Sequence, residues 1–334
     1  MKVTCTNVNE GLVKILNLLD KNTVERPSRN GNTRSFVEPV CIEYEYPNHN
    51  AMLIKSRDAN PFFHIMESLW MLAGRNDVAF PATFAKNIAQ YSDDGIVFNA
   101  PYGYRLRRNF GIDQLKAVCE ELKRDNTTRR AVCLLWDPAD LIKETKDKAC
   151  NLELVFSISN NRLNMTVFNR SNDIIYGTFG ANAVHMSMIM MYVCSKLPDI
   201  KLGTYFQISS NLHAYTDGIE GNILNRINEE LSSDNDYTEY DYYPLDTTYF
   251  DEFVDEDISQ FFGMWDSKIG FSPARILAGC YDSKLFNDLV LPMLELWIKY
   301  KISGKSKIKE RDYMTIKPTD WKKACQIWIE NRSK

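Results

Sequence analysis

Histidine is scarce in this chain, and long hydrophobic runs are missing. Only four of its 334 residues are His, none at the spacing of a tetrahedral site, so no metal is expected. No apolar run approaches the roughly 20 residues that cross a bilayer, so no membrane partner is expected either. Cysteine lacks pattern: eight are scattered with no CxxC pair. The opening "MKVTCTNVNEGLVKILNLLDK" reads as a polar start and an amphipathic helix rather than a secretory signal. A disulfide framework is therefore not expected, and a cytoplasmic setting is. A dominant charge is also lacking. The net −4 gives no general attraction to nucleic acid, so any anion site has to be local.

What is there suits a globular protein with a sizeable core: 44% hydrophobic and 25% charged residues. "GLVKILNLLDK", "PFFHIMESLWMLAG", "DQLKAVCEELKRD" and "GANAVHMSMIMMYVCSKL" carry helical periodicity. "SFVEPVCIEYEY" and "LGTYFQISSNLHAY" alternate like strands, and "RRAVCLLWDP" reads as a buried one. "NLELVFSIS" and "RLNMTVFNRS" read as a hairpin around "NN". "ERPSRNGNTRS" and "YSDDGIVFNAPYGYRLR" read as loops. From about Asp217 the chain turns acidic and tyrosine-rich, a composition expected on a solvated surface, before two terminal helices. Strands and helices mix without a regular βαβ rhythm, which predicts α+β.

Three basic clusters fall at element boundaries: Arg29, Arg129 with Arg130, and Arg170 beside Ser171. Each alone is equally a solvated strand-end charge, but together they suit bidentate phosphate binding. Cys150 also stands apart. Cys41, Cys119, Cys133 and Cys194 lie inside apolar runs, whereas Cys150 sits where a loop meets a strand. Arginines there would lower its pKa, as a nucleophile needs. A half-buried structural cysteine is the alternative.

These motifs resemble, in order, those of the thymidylate synthase superfamily over roughly residues 8–217. "RNGNTR" resembles its phosphate loop, "HIMESLWMLAGRND" its Glu-x-x-Trp helix, "APYGYRLR" its "PVYGxxWR", "TTRRAVCLLWDP" its "SRRxxxxxWNP", "RSND" its "RSxD" and "SSNLHAY" its "GDxHxY". The resemblance implies a thymidylate synthase-like α+β fold over 1–217, with 218–334 completing or extending the same domain. It implies 5,10-methylenetetrahydrofolate as cosubstrate. Cys150 would add to C6 of a pyrimidine nucleotide, Glu67 would manage protons with ordered water, and Tyr102 would assist loss of the C5 proton. Arg29, Arg170 and Ser171 would hold the 5′-phosphate, joined by Arg129 and Arg130 from the second subunit of a homodimer. His213 and Tyr215 would bind the sugar, while Asp173 and Gly177 would face the folate.

The departures bear on the product. Where the synthases carry "IWxxWA", this chain reads "NIAQYSDDG", with Ile88 and Ala89 at the first tryptophan and Tyr91 at the second. Lost bulk leaves room for water beside an electrophilic carbon, and exclusion of water decides which reaction wins. "ACN" replaces "PCH", setting Asn151 beside the nucleophile, and "RSND" resembles the phage deoxycytidylate hydroxymethylases. The expectation is folate-dependent C5-hydroxymethylation in a host cytoplasm if the chain is phage-encoded. A divergent thymidylate synthase, with Tyr91 serving for the tryptophan, is the alternative. In "TFGANAV" Ala181 takes the base reader's slot and Asn182 follows it, so Asn182 is the candidate reader if the helix entry shifts by one. With no aspartate nearby, the base tips slightly towards uracil over cytosine.

Overall fold

A capped amphipathic helix opens the fold. In the computed structural model, which describes residues 1–231, 237, 239–266 and 273–332, strand β1 (Lys2–Cys5) leads into helix α1 (Val8–Asn22). The Asn7 side chain accepts the N–H groups of Asn9 and Glu10, satisfying donors that the first turn leaves free. Leu12, Ile15, Leu16 and Leu19 form its buried stripe.

The segment "ERPSRNGNTRS" is not a loop. It folds as a hairpin of β2 (Thr23–Ser28) and β3 (Gly31–Phe36), turning at Arg29 and Asn30. Its apolar alternation is weak because β2 is an exposed edge strand, the one place a sheet tolerates Pro27. "SFVEPVCIEYEY" is accordingly two strands, the end of β3 and β4 (Val40–Tyr44). Helix α2 (Pro61–Leu72) starts on the Asn60 cap with Pro at its first position, and the chain leaves it through Gly74 at φ +65°. Then come α3 (Ala79–Phe84), the short α4 (Tyr102–Tyr104) running into a wider turn to Asn109, and α5 (Gln114–Arg124).

Strand β5 (Val132–Leu134) is a second departure. It is a three-residue edge, not a buried strand: Cys133 is buried but Val132 and Leu134 are exposed. The hairpin of β6 (Asn151–Ser159) and β7 (Arg162–Asn169) turns through Asn160 and Asn161 at φ 50° and 56°. Asparagine tolerates that left-handed pair, which matches strand twist. After β8 (Asn172–Asp173) and an irregular helical stretch from Ile174 to Ala181 come α6 (Asn182–Ser195), β9 (Lys201–Ser209), β10 (Leu212–Tyr215) and α7 (Gly218–Leu231).

The strands form two mixed sheets, β1-β4-β9-β7-β6-β5 and β2-β3-β10-β8. Parallel pairs (β1 with β4, β7 with β9, β8 with β10) are mixed with antiparallel ones, as an α+β fold allows. Helix α6 lies between the large sheet and α2, so every side chain from Asn182 to Cys194 is buried. The tail adds α8 (Val254–Trp265), α9 (Pro273–Leu277), α10 (Leu291–Ser303) and α11 (Thr319–Glu330). These pack on α2 and α3 through Phe62 against Trp328, Phe80 against Phe262 and Phe84 against Trp297, with ring centroids 5.4, 4.9 and 4.8 Å apart. The tyrosine-rich stretch is therefore not wholly solvated: Leu245 and Phe250 are buried, and Tyr240 stacks on His49. Residues 232–236 and 238 of that stretch lie outside the described residues. Among the described residues no helix is long and apolar enough to cross a membrane.

Candidate active site

A cavity of about 760 Å³ opens between α2, α6, the 85–102 segment and the end of β10. Helix α2 presents His64, Glu67 and Met71 to it at i, i+3 and i+7, one face of the helix. Ile88 and Tyr91 enter from the 3-10 turn that follows α3, Tyr102 from α4, and Asn182 with His185 from the first turn of α6.

Cys150 sits where expected, on the residue before β6, and is half-buried. Its thiol is not part of the cavity wall. It stands beside two residues that are, Tyr102, whose phenol it helps to push up, and Asp147, whose carboxylate helps to push the thiol up. The Asn151 N–H approaches the Tyr102 hydroxyl at 3.4 Å. Burial and the neighbouring thiol push the Tyr102 phenol well up, so it stays protonated. The expected lowering of the Cys150 pKa is not found. Burial raises it, although Arg170 and Arg29 act the other way. Desolvation, helped by the Asp147 carboxylate, outweighs two guanidiniums, one exposed and the other 3.6 Å from the sulfur.

That second guanidinium is Arg170. Its Nη2 lies 3.6 Å from Cys150 Sγ, while its Nε and Nη2 donate to the carbonyls of Ala149 and Lys148 at 2.8 and 3.1 Å. Ser171 follows, half-exposed. Arg29 is exposed at the tip of the β2–β3 hairpin, within electrostatic reach of the thiol. Arg129 and Arg130 are exposed at the start of β5, and Arg130 pairs with Glu121 at 3.1 Å. Neither lines the cavity of its own chain.

Below the thiol runs a chain of buried amides. Asn169 donates to Asn151 Oδ1, Asn151 Nδ2 donates to Asn182 Oδ1 at 3.3 Å, and Asn182 Nδ2 donates to Asn172 Oδ1 at 3.0 Å. The backbone is irregular at Phe179 and Gly180 just before α6, and both Ala181 and Asn182 lie in the cavity wall. Gly177 does not line the cavity. A Cβ there would lie 2.3 Å from Asn172 Oδ1, so this glycine makes room for the Asn172–Asn182 bond.

The far side of the cavity is acidic and aromatic. Asp173 Oδ1 is buried without a partner. Glu220, from the first turn of α7, is pushed up to about 7 by burial and the nearby Asp173 carboxylate. Arg57 lies 4.5 Å from the Tyr176 ring centroid and donates to Ile175 O at 2.9 Å. Tyr215 lines the cavity, whereas His213 is buried behind it with Nδ1 2.9 Å from Asn211 Oδ1. At the rim Arg332 grips both oxygens of Asp58 at 2.7 Å. Asp147, Arg57, His185, Glu220 and Arg332 escaped the sequence reading. Only His185, one turn from Asn182 within "GANAVH", had a local signal. The described residues contain no group of three or more His, Cys, Asp or Glu that could hold a metal.

A thiol and arginine on neighbouring strand ends, with a phenol and an amide chain around them, beside a cavity carrying a glutamate define a class. The family model described as "Thymidylate synthase" matches residues 12–242, and the chain belongs to the thymidylate synthase family. Within that family it is similar to the deoxyuridylate hydroxymethyltransferase of Pseudomonas phage M6, 38% identical over 352 positions covering 99% of this chain and 95% of that one. A protein of the same name from Bacillus phage SP01 is 44% identical over 193 residues, 54% of this chain and 50% of the relative. A putative thymidylate synthase from Methanothermobacter marburgensis is 35% identical over 124 residues, 37% of this chain and 54% of the relative.

Proposed function

We propose that this protein hydroxymethylates C5 of dUMP, using 5,10-methylenetetrahydrofolate and water. Cys150 adds to C6 of the ring, which makes C5 nucleophilic. The raised thiol pKa of the lone subunit falls when Arg129 and Arg130 of a second copy bring positive charge to the phosphate site. Tyr102, protonated beside the thiol, supports removal of the C5 proton. Asn182 reads the base. Its amide is held at both ends by Asn151 and Asn172, so flipping it to suit cytosine would break two buried hydrogen bonds. That resistance commits it to one base, and the deoxyuridylate named in the phage relatives favours uracil.

The unpartnered Asp173 Oδ1 fits a pterin N–H, and Arg332 at the rim suits a carboxylate tail. Bound methylenetetrahydrofolate supplies the one-carbon unit. Ile88 and Glu67 line one cavity, and this is the observation that carries the choice of water over hydride. An aliphatic side chain stands where the family's indole would cover the new methylene, and a carboxylate is there to accept a proton from water. The folate then departs at its original oxidation level.

A second copy covers the open face of the large sheet. In register across it lie Val132, Val155, Thr166 and Phe206, then Leu134, Glu153, Phe168 and Ile208, none of them fully buried. Arg129 and Arg130 edge this face. The test of function is to incubate the protein with dUMP or dCMP and methylenetetrahydrofolate and weigh the product. Hydroxymethyl-dUMP with tetrahydrofolate is expected. Thymidylate with dihydrofolate overturns the reading.

A further inference from the structure

His185 has no counterpart among the residues assigned a role above, and its environment is unusual. It is 3% exposed and lines the cavity. Its Nε2 lies 3.1 Å from Glu67 Oε2, within ion-pair distance, yet it makes no aligned hydrogen bond. The other ring packed against it is His64 of α2, edge-on at 6.4 Å between centroids. A structural histidine at such depth closes its hydrogen bonds within the protein. This one, in the wall of a roomy cavity, leaves a buried ring nitrogen with no hydrogen bond and only a carboxylate beside it.

We propose that His185 and Glu67 together hold the water that adds to the C5 methylene of the bound nucleotide. This rests on the hydroxymethylation reading and supplies its nucleophile. A bound water needs two or more polar partners. Glu67 Oε2 and His185 Nε2 supply two that converge on one cavity wall, and an imidazole nitrogen meets water as donor or acceptor. The step balances without an oxidant. The water oxygen bonds to the methylene carbon, and its proton passes to the Glu67 carboxylate. The methylene π electrons move onto the ring as an enolate, which re-forms the C5–C6 double bond as the Cys150 thiolate leaves.

The test compares two signals in a single turnover with enzyme in excess, tritium release from [5-³H]dUMP, which reports steps before water adds, and the rate of hydroxymethyl product. In His185→Phe, product falls about 100-fold, the usual scale for losing a proton-handling partner, while tritium release falls less than tenfold. An added small thiol then captures the waiting methylene as a thioether. His185→Gln, which restores a polar atom, recovers at least tenfold in product. His185→Leu reads the same ratio should the phenylalanine variant not fold. Equal loss of both signals, or product unchanged, overturns the proposal while leaving the hydroxymethyl reading intact. A wild-type protein that makes only thymidylate overturns both.

Discussion

Asp320 offers a quantitative check on how the tail holds the site. It lies in the first turn of α11, wholly buried, accepting from the Tyr240 hydroxyl at 2.8 Å and the Trp321 N–H at 2.7 Å. Burial nonetheless pushes its carboxyl from 3.8 up to about 7. The folded protein therefore binds this proton more tightly than the unfolded chain. The stability it contributes is full below about pH 4 and is lost as pH rises through 7. Three pH units at about 1.4 kcal/mol each make roughly 4 kcal/mol, of which about 2.5 kcal/mol falls between pH 5 and pH 8.5. Asp173 and Glu220, also raised, add slope of the same sign, so the comparison needs a variant. Asp320→Asn keeps the shape and cannot ionise. Urea unfolding at both pH values should show wild type losing about 2.5 kcal/mol more than Asp320→Asn across the interval. Since α11 ends beside Arg332, KM for the folate should rise with pH in wild type and less in the variant. Identical pH slopes for the two proteins would refute the reasoning.

Other perturbations test the scaffold around the thiol. Arg105 and Asp140 form a bidentate pair at 2.7 and 2.8 Å, each 2% exposed, one turn after Tyr102. Asp140→Ala strands a buried guanidinium and should cost about 3–5 kcal/mol in chemical denaturation, against far less for an Arg105→Met, Asp140→Leu double variant. A Cβ on Gly103 would sit 2.1 Å from the Met71 carbonyl oxygen. Gly103→Ala should therefore lower the melting temperature, and by moving α4 off α2 it should cut turnover more than binding, read as kcat against KM. Cys150→Ala should lose at least about 1,000-fold in turnover while still binding dUMP in calorimetry. Sedimentation should give a dimer, and Val132→Asp with Leu134→Asp should give a monomer that no longer turns over.

The local elements of this fold were legible wherever one periodicity dominated. Leu12, Ile15 and Leu19 mark α1, the NN turn marks the β6–β7 hairpin, and the apolar run of α6 marks a helix buried on all sides. Cys150 could be singled out because its neighbours broke the apolar pattern that envelops the other thiols. The β2–β3 hairpin escaped because an edge strand has no buried face to write into the sequence. Burial in the acidic stretch escaped because Leu245 and Phe250 are covered by helices distant along the chain.

What the residues determined by themselves was a list of candidate reacting groups and most of the elements that carry them. Side-chain chemistry and short-range periodicity are properties of neighbours in sequence. What tertiary structure alone decided was which groups meet: His185 against Glu67, Asn182 between Asn151 and Asn172, and Arg332 at the rim some 270 residues from its partner Asp58. It also decided that burial outweighs arginine at the Cys150 thiol. Such outcomes depend on distance and dielectric, and both come into being only when the chain packs.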